Sequence, residues 1–174
     1  MLERGPRSSC VCATLDDRAV LAMGGELDEQ FFETVGNAGD HGGDQWWLHL
    51  GRCAACGQHW LIGQEERIYD CICLRRLSFQ EAEEITGRGE WPDDFQTYEA
   101  LLRLGCAQGW TVTFLDRRSG PLIDTAKDLR ASRPEIGDAE IGALLGLTAK
   151  HAAALFRPEA PLRRLYRRLT NTGS

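Results

Sequence analysis

The 174-residue sequence has no apolar run that approaches the roughly 18 to 20 residues of a membrane-spanning helix. Its first twelve residues contain two arginines but no apolar stretch behind them, so we expect no secretory signal. Internal repeats and low-complexity tracts are also missing. Hydrophobic residues make up 43% of the chain, which is enough for a packed core and excludes wholesale disorder. These features predict a cytoplasmic globular protein that does not contact a membrane.

Familiar catalytic motifs are missing as well. The sequence contains no HExxH, no Gly-x-Ser-x-Gly, no P-loop and no dinucleotide fingerprint. Acidic pairs such as Glu65-Glu66 and Asp93-Asp94 are adjacent in sequence, so their side chains diverge on a helix or a strand. We therefore predict a protein that is not an enzyme. A nucleophilic or redox cysteine is the alternative, because four histidines are available to activate one.

Positive charge is scarce in most of the chain. Residues 1–120 contain 11 Lys and Arg against 20 Asp and Glu, whereas residues 121–174 contain 9 against 6. An acidic body disfavours broad contact with nucleic acid, because such binding depends on neutralising phosphates. It favours a basic protein partner instead, since opposite charges speed association. The basic cluster near the C-terminus comprises Arg157, Arg163, Arg164, Arg167 and Arg168.

Seven cysteines without a secretory signal argue against a disulfide framework, because the cytosol keeps thiols reduced. Cys53-x-x-Cys56-Gly57 lies between two predicted strands. A turn of this length brings two sulfurs to about 2.3 Å from one Zn²⁺. The glycine allows a positive φ angle that points backbone amides toward the sulfurs. A redox pair is the competing interpretation, but the residues after Cys56 do not continue as the helix that such a motif opens.

A structural zinc site needs four ligands, and two further cysteine pairs are available. Cys71-Ile72-Cys73 lies in an apolar run, where buried thiols are the ordinary outcome. Cys10-Val11-Cys12 has no apolar flank before it, and a metal would explain how this polar segment is held to the domain. We favour this pair and keep Cys71 and Cys73 as the alternative. The predicted structural Zn²⁺ site consists of Cys10, Cys12, Cys53 and Cys56.

Alternation and turn signals predict a small antiparallel sheet within residues 1–77. Residues 26–35 form a short helix or strand, and the glycine-rich residues 36–45 form a loop. The aromatic and aliphatic runs that resemble strands are 46–50, 59–62 and 67–74.

Helical patterns dominate after residue 77. Ser78-x-x-Glu81 has the form of a capping box and opens a helix to about residue 86. A second helix is predicted over 94–104 and a last strand over 111–115. The predicted fold class is α+β, a small antiparallel zinc-ribbon-like sheet followed by a helical C-terminal region. The predicted segments are 1–77, 78–120 and 121–174.

Residues 138–157 have the pattern of a helix-turn-helix. Asp138 can cap the first helix, Gly142 is small enough for two helices to cross, and Gly146 lies in the turn. A helix that reads DNA needs side chains that reach base edges. The second helix, which Thr148 can cap, offers few such side chains. Protein binding is therefore the favoured function, and a DNA-binding regulator is the alternative. Its predicted contact residues are Lys150, His151, Arg163, Arg164, Arg167 and Arg168.

The Cys-x-Cys pair, the aromatic strand and the Cys-x-x-Cys-Gly turn together resemble small zinc-ribbon proteins of bacteria, some of which are immunity proteins of polymorphic toxin systems. The stretch from Trp60 to Leu77, which ends in Cys73-Leu74-Arg75-Arg76-Leu77, adds to this resemblance. The resemblance covers about residues 10–77. It implies a zinc-stabilised, non-enzymatic module that binds and neutralises a partner protein, and it supplies no catalytic residues.

Overall fold

The computed structural model of the chain describes residues 10–112 and 116–158. The chain divides into two compact units, with the boundary between residues 113 and 114. Over the described ranges the structure is α+β, with a five-stranded antiparallel sheet in the first unit and six α-helices in all. None of the helices in these ranges is both long and apolar enough to cross a membrane.

The first element within the described residues of the first unit is a 3₁₀ turn at Val11–Thr14. Its strands are β1 (Arg18–Ala22), β2 (Val35–Asp40), β3 (Leu48–Cys53), β4 (His59–Glu65) and β5 (Cys71–Leu77). Its helices are α1 (Glu26–Phe32), α2 (Phe79–Arg88) and α3 (Tyr98–Ala107). The second unit contains α4 (Gly120–Ser132), α5 (Asp138–Leu144) and α6 (Ala149–Leu155).

The five strands lie in the order β1-β5-β4-β3-β2, and every neighbouring pair is antiparallel. Strands β2 to β5 form a meander, whereas β1 pairs with β5 at the opposite edge from β2. The connection from β1 to β2 therefore runs from one edge of the sheet to the other. Helix α1 lies in this connection and covers part of one sheet face with the buried ring of Phe31.

Trp60 is the centre of the core on the α1 side of the sheet. Its ring is fully buried and meets the ring of Phe31 edge to face, with 5.8 Å between centroids. Gly51 lies opposite Trp60 on β3, and a Cβ there would come within 2.5 Å of Ile62 Cδ1. Only glycine therefore leaves room for Ile62 in this layer. Burying a side chain such as Phe31 stabilises the fold by about 2 kcal/mol.

Helix α3 covers the other sheet face with Leu101 and Leu102, which are fully buried. Glu65 at the end of β4 is also fully buried, and its carboxylate accepts hydrogen bonds from the backbone amides of the following turn. The hydroxyl of Tyr98 donates to the same carboxylate over 2.7 Å. Because a buried carboxylate is costly unless it is hydrogen-bonded, these contacts fix the turn between β4 and β5 against α3.

The three predicted strands correspond to β3, β4 and β5, although the observed bounds are shifted. The predicted loop over 36–45 is wrong in its first half, because residues 36–40 belong to β2. This strand has a bulge between Asn37 and Gly39, and its hydrogen-bonding partner is β3. The strand tolerates the glycines that suggested a loop, because its backbone hydrogen bonds are made with the neighbouring strand β3. Thr111 and Val112 of the predicted last strand are not in a strand, and residues 113–115 lie outside the described residues.

The capping box at the start of α2 is confirmed. Ser78 accepts a hydrogen bond from the Glu81 amide, and the Glu81 carboxylate accepts one from the Ser78 amide. The helix predicted over 94–104 begins later than expected, at Tyr98. Thr97 caps it by accepting from the amide of Ala100, so the residues before it stay outside the helix.

Helices α5 and α6 form a tight hairpin. A Cβ on Gly142 would lie 2.7 Å from the carbonyl oxygen of Leu147, so the crossing requires glycine at this position. Gly146 adopts a φ of +65° in the turn, and the side chain of Thr148 caps α6. The predicted capping role of Asp138 is wrong, because Gly137 is the capping residue. Asp138 is instead the first helical residue, where a negative charge favours the helix dipole.

Candidate metal centre

Four cysteine sulfurs lie together at one end of the sheet. Their Sγ atoms are all within 4.8 Å of one another. Four thiolates around one tetrahedral metal, each about 2.3 Å away, are separated by about 3.8 Å, so the cluster is close to the size such an ion requires. No other cluster of this kind occurs within residues 10–112 and 116–158. The four residues are those predicted from the sequence, and they could hold a metal ion: Cys10, Cys12, Cys53 and Cys56.

The first cysteine pair is positioned by the 3₁₀ turn at the start of the unit. Cys12 is only 2% exposed and packs into the core beside Trp60 and Phe31. Val11, which lies between the two cysteines, and Leu15, which follows them, pack against the same core. Residues 10–15 are thus attached to the sheet by side chains that sequence patterning had left unassigned.

The second pair lies in the turn between β3 and β4. The amide of Gly57 donates to the carbonyl of Cys53 over 2.9 Å, and the amide of Cys53 donates to the carbonyl of Gln58 over 2.8 Å. Gly57 has a φ of +80°, as the sequence predicted, and this left-handed conformation reverses the chain. The turn places Cys53 in the core and leaves Cys56 exposed.

Arg76 on β5 connects the two halves of the cluster, although the cysteine spacing gives no indication of it. Its Nη2 donates to the carbonyls of Cys12 and Leu15 at 2.7 and 2.8 Å, and its Nη1 donates to the side chain of Gln58 at 3.1 Å. The guanidinium also lies 4.5 Å from the centroid of the Trp60 ring. An arginine at the end of an otherwise apolar strand was the available signal, because it must find several acceptors when it is partly buried.

Electrostatics distinguish the Cys53 thiol from those of Cys12 and Cys56. Burial on its own would raise the pKa of Cys53, but hydrogen bonds from Thr34 and from the amides of Cys56 and Ala55 lower that pKa to about 6. Burial raises the pKa of Cys12 to about 12, and it also raises the pKa of Cys56. The turn therefore favours the thiolate form of Cys53, whereas Cys12 and Cys56 resist ionisation. A divalent cation would remove this resistance, because it compensates several negative charges at once.

The alternative second pair is excluded from the cluster. Cys71 and Cys73 are fully buried in β5, and Cys73 pairs with Gly63 on the face that α3 covers. The thiol of Cys73 lies 3.8 Å from the carbonyl of Leu101. A hydrogen bond with Cys73, together with burial, raises the pKa of Cys71 far above its ordinary value. These two cysteines are buried side chains of the core.

The residues predicted for DNA or partner contact are only partly described. Lys150 is exposed on α6, and His151 lies next to it on the same helix. The Nη1 atom of Arg117 is 2.9 Å from His151 Nε2, which brings an additional positive charge to this helix. Four further predicted contact residues lie outside the described residues: Arg163, Arg164, Arg167 and Arg168.

Comparisons of the chain with protein-family models, with curated proteins and with solved structures found no match. The cluster is therefore interpreted from its own geometry. Thiolates bind soft and borderline metal ions, and four of them leave no coordination position for water or substrate. The arrangement suits a metal that supports the fold.

Proposed function

We propose that this protein is a non-enzymatic binding module whose sheet is stabilised by one structural Zn²⁺. The observation that carries the proposal is the mutual approach of four sulfurs to within 4.8 Å, contributed by two segments about forty residues apart. Zinc is the metal of choice because closed four-thiolate sites are its common structural environment in proteins. The ligands are Cys10, Cys12, Cys53 and Cys56.

The proposed metal would attach the 3₁₀ turn to the sheet more firmly than the apolar contacts of the turn do alone. Among the described residues before β1 there is one short 3₁₀ turn, Val11–Thr14, and Cys12 is the buried residue of that turn. Zinc bonds to Cys10 and Cys12 would fix this turn to the β3–β4 turn. The free energy of metal binding would then contribute directly to folding, since the ligand set does not exist in an unfolded chain.

Metal content decides the zinc proposal. Native mass spectrometry of the purified protein is expected to show one zinc ion per chain. The Cys56→Ser variant is expected to lose the metal, whereas the matched Cys106→Ser variant, which changes a cysteine outside the cluster, is expected to keep it. A wild-type protein that is folded and free of metal would contradict the proposal.

A basic protein is the proposed partner. The segment from Ala19 to Gly51, which includes α1 and β2, contains six acidic residues and no Lys or Arg. A field of one sign steers a partner of the opposite sign. Together with the resemblance to bacterial immunity-type proteins, this charge supports a factor that neutralises a basic toxin. Binding to a toxin encoded beside its gene, measured by calorimetry at two salt concentrations, tests the proposal, and failure to bind any such neighbour contradicts it.

A DNA-binding regulator is the second candidate function. It is favoured by the tight α5–α6 hairpin, by the exposed Lys150 and by the nearby Arg117. A mobility-shift assay on the DNA upstream of its own gene tests this candidate. Specific, salt-sensitive binding that is lost in Lys150→Ala and retained in Lys127→Ala would support it. Lys127 is a suitable control because it is an exposed lysine on α4.

A further inference from the structure

The sheet face that carries α1 is covered only in part. Beside the C-terminal end of α1 the structure contains a cavity of about 150 Å³, which we call the α1 cavity. Phe32 forms one wall, and its side chain is 42% exposed although the neighbouring Phe31 is fully buried. The lining residues are Phe32, Asn37, His49, Leu50, Ile62 and Gln64.

Hydrogen bonds fix the polar side of the α1 cavity. The Nδ1 atom of His49 lies 2.8 Å from the Asp40 carboxylate, and its Nε2 atom lies 2.9 Å from the side-chain oxygen of Gln64. Asn37 donates to the same Asp40 carboxylate over 2.8 Å. These contacts hold the imidazole and both amides in place on β2, β3 and β4. The cavity is therefore preformed, which reduces the entropy lost when a ligand binds.

The surroundings of the α1 cavity are acidic. Phe32 is followed directly by Glu33, an exposed residue at the C-terminal end of α1. A negative charge there opposes the helix dipole, so helix stability does not account for it. The segment from residue 19 to residue 51, which supplies four of the six lining residues, contains no Lys or Arg. Its six acidic residues are Glu26, Asp28, Glu29, Glu33, Asp40 and Asp44.

The size of the α1 cavity restricts its occupant. Sites for small-molecule ligands generally measure about 300 to 1,000 Å³, whereas 150 Å³ accommodates about one amino-acid side chain. Ile62, which shares this sheet face with its partner His49, gives the cavity an apolar floor. The occupant that fits both the apolar floor and the acidic surroundings is an apolar side chain flanked by positive charges.

We propose that the α1 cavity is the docking site for a basic protein segment. The segment inserts one apolar side chain against Phe32 and places Lys or Arg side chains beside Glu33 and Asp40. This inference rests on the proposed function as a protein-binding module and adds the location and the chemistry of contact. Protein interfaces concentrate their binding energy in such central pockets, and the surrounding charges set the rate and selectivity of association.

A pair of synthetic peptides tests the docking site on the full chain loaded with zinc. One heptapeptide has a central leucine flanked on each side by three Lys or Arg residues, and in the other the leucine is replaced by serine. Amide chemical shifts measured by NMR are expected to change around Asn37, His49 and Gln64. The serine peptide is expected to bind about tenfold more weakly, because it leaves the apolar floor unfilled. High salt is expected to weaken both peptides.

Matched variants on α1 and α2 test whether the peptide binds at the α1 cavity. Phe32→Ser and Glu33→Lys are each expected to weaken the leucine peptide about tenfold. Phe79→Ser and Glu83→Lys on α2 are the controls, since Phe79 is 73% exposed and neither residue lines the cavity. The Glu33→Lys change alters only an exposed side chain, so it stays informative even if Phe32→Ser disturbs folding.

Several outcomes overturn the docking site. One is a set of chemical-shift changes confined to other acidic surfaces, and another is an equal loss of peptide affinity in the α1 and α2 variants. A further one is a set of chemical-shift changes that depend on protein concentration without peptide, which would indicate a second copy of the chain. Zinc content is measured on the same sample. A zinc-loaded protein without shifts at the cavity overturns the docking site alone. A folded protein without zinc overturns the metal-stabilised module, while the peptide shifts still decide the docking site.

Discussion

The side chain of Arg76 donates a hydrogen bond to the carbonyl of Cys12 over 2.7 Å, although the two residues are 64 positions apart in sequence. The same guanidinium lies over the ring of Trp60 and contacts Gln58, which follows the second cysteine pair. Arg76 thus holds the backbone of one half of the cluster against the other. The alignment of the four thiols depends on this side chain as well as on any metal between them.

Replacing Arg76 is expected to weaken both the fold and metal binding. Arg76→Met keeps an apolar stem over Trp60 but removes the hydrogen bonds, at a cost of about 2 to 3 kcal/mol. Residues that orient metal ligands typically contribute about 10- to 100-fold to affinity, so zinc affinity is expected to fall within that range. Competition with a chromophoric chelator measures the affinity, and urea unfolding measures the stability. Arg88→Met on α2 is the control, and equal affinities for the two variants would refute the role of Arg76.

Removing the metal is expected to destabilise the first unit. Structural zinc contributes a large part of folding free energy in small domains, and we expect a loss of about 3 kcal/mol or more on chelation. This corresponds to a fall in Tm of roughly 10 °C or more. Differential scanning calorimetry with and without a chelator measures it. Readdition of zinc should restore the Tm, and a chelator-treated sample with an unchanged Tm would argue against a structural metal.

Gly51→Ala is expected to destabilise the sheet. The added Cβ would lie 2.5 Å from Ile62 Cδ1 and 2.9 Å from Val35 Cγ1, which forces both core side chains to move. Overpacking of this kind costs about 1 to 3 kcal/mol. Gly36→Ala on β2 is a close control, because a Cβ there meets nothing within 4 Å. Thermal unfolding of both variants measures the difference, and equal Tm values would show that the core is not tightly packed at Gly51.

Stability is expected to fall in acid through Glu81. Hydrogen bonds from the backbone and side chain of Ser78, together with Arg75, hold the pKa of Glu81 below its ordinary 4.5. A carboxyl whose pKa is lower in the folded state adds stability that is complete above the unfolded value and is lost as the pH falls through the folded value. The contribution of Glu81 is therefore present at pH 6 and decreases below about pH 4.5.

Urea unfolding of wild type and Glu81→Gln at a series of pH values checks this sign. The difference in stability between the two proteins is expected to be about 1 kcal/mol near neutral pH and to shrink on acidification. Glu83→Gln on the same helix is the control. A difference that stays constant down to pH 3 would contradict the assignment.

Local features of the sequence predicted local features of the structure. The Cys-x-x-Cys-Gly spacing predicted the turn between β3 and β4, including the positive φ of Gly57, because two cysteines and one glycine define that turn without help from the rest of the chain. The capping box at Ser78 and Glu81 was predicted for the same reason.

Features that depend on distant partners were missed. Residues 36–40 look like a loop in sequence, yet they form β2 because β3 provides hydrogen bonds to them. The strand predicted over 46–50 begins at Leu48 in the structure, two residues later than predicted, and continues to Cys53. Its ends are set by the neighbouring strands. Arg76 gave no periodic signal, because its backbone acceptors, Cys12 and Leu15, are more than sixty residues away in sequence.

The sequence by itself determined that the Cys53–Cys56 pair and two further cysteine pairs have spacings suited to metal ligands. It also determined that residues 1–120 are acidic, because spacing and charge are properties of the chain. Only the tertiary structure decided between Cys10 and Cys12 on one side and Cys71 and Cys73 on the other. Both pairs have the same two-residue spacing, and the pleat of a strand would present either of them together. The choice follows from the sheet face: β5 turns Cys71 and Cys73 toward α3, while the 3₁₀ turn lies on the α1 side with the β3–β4 turn.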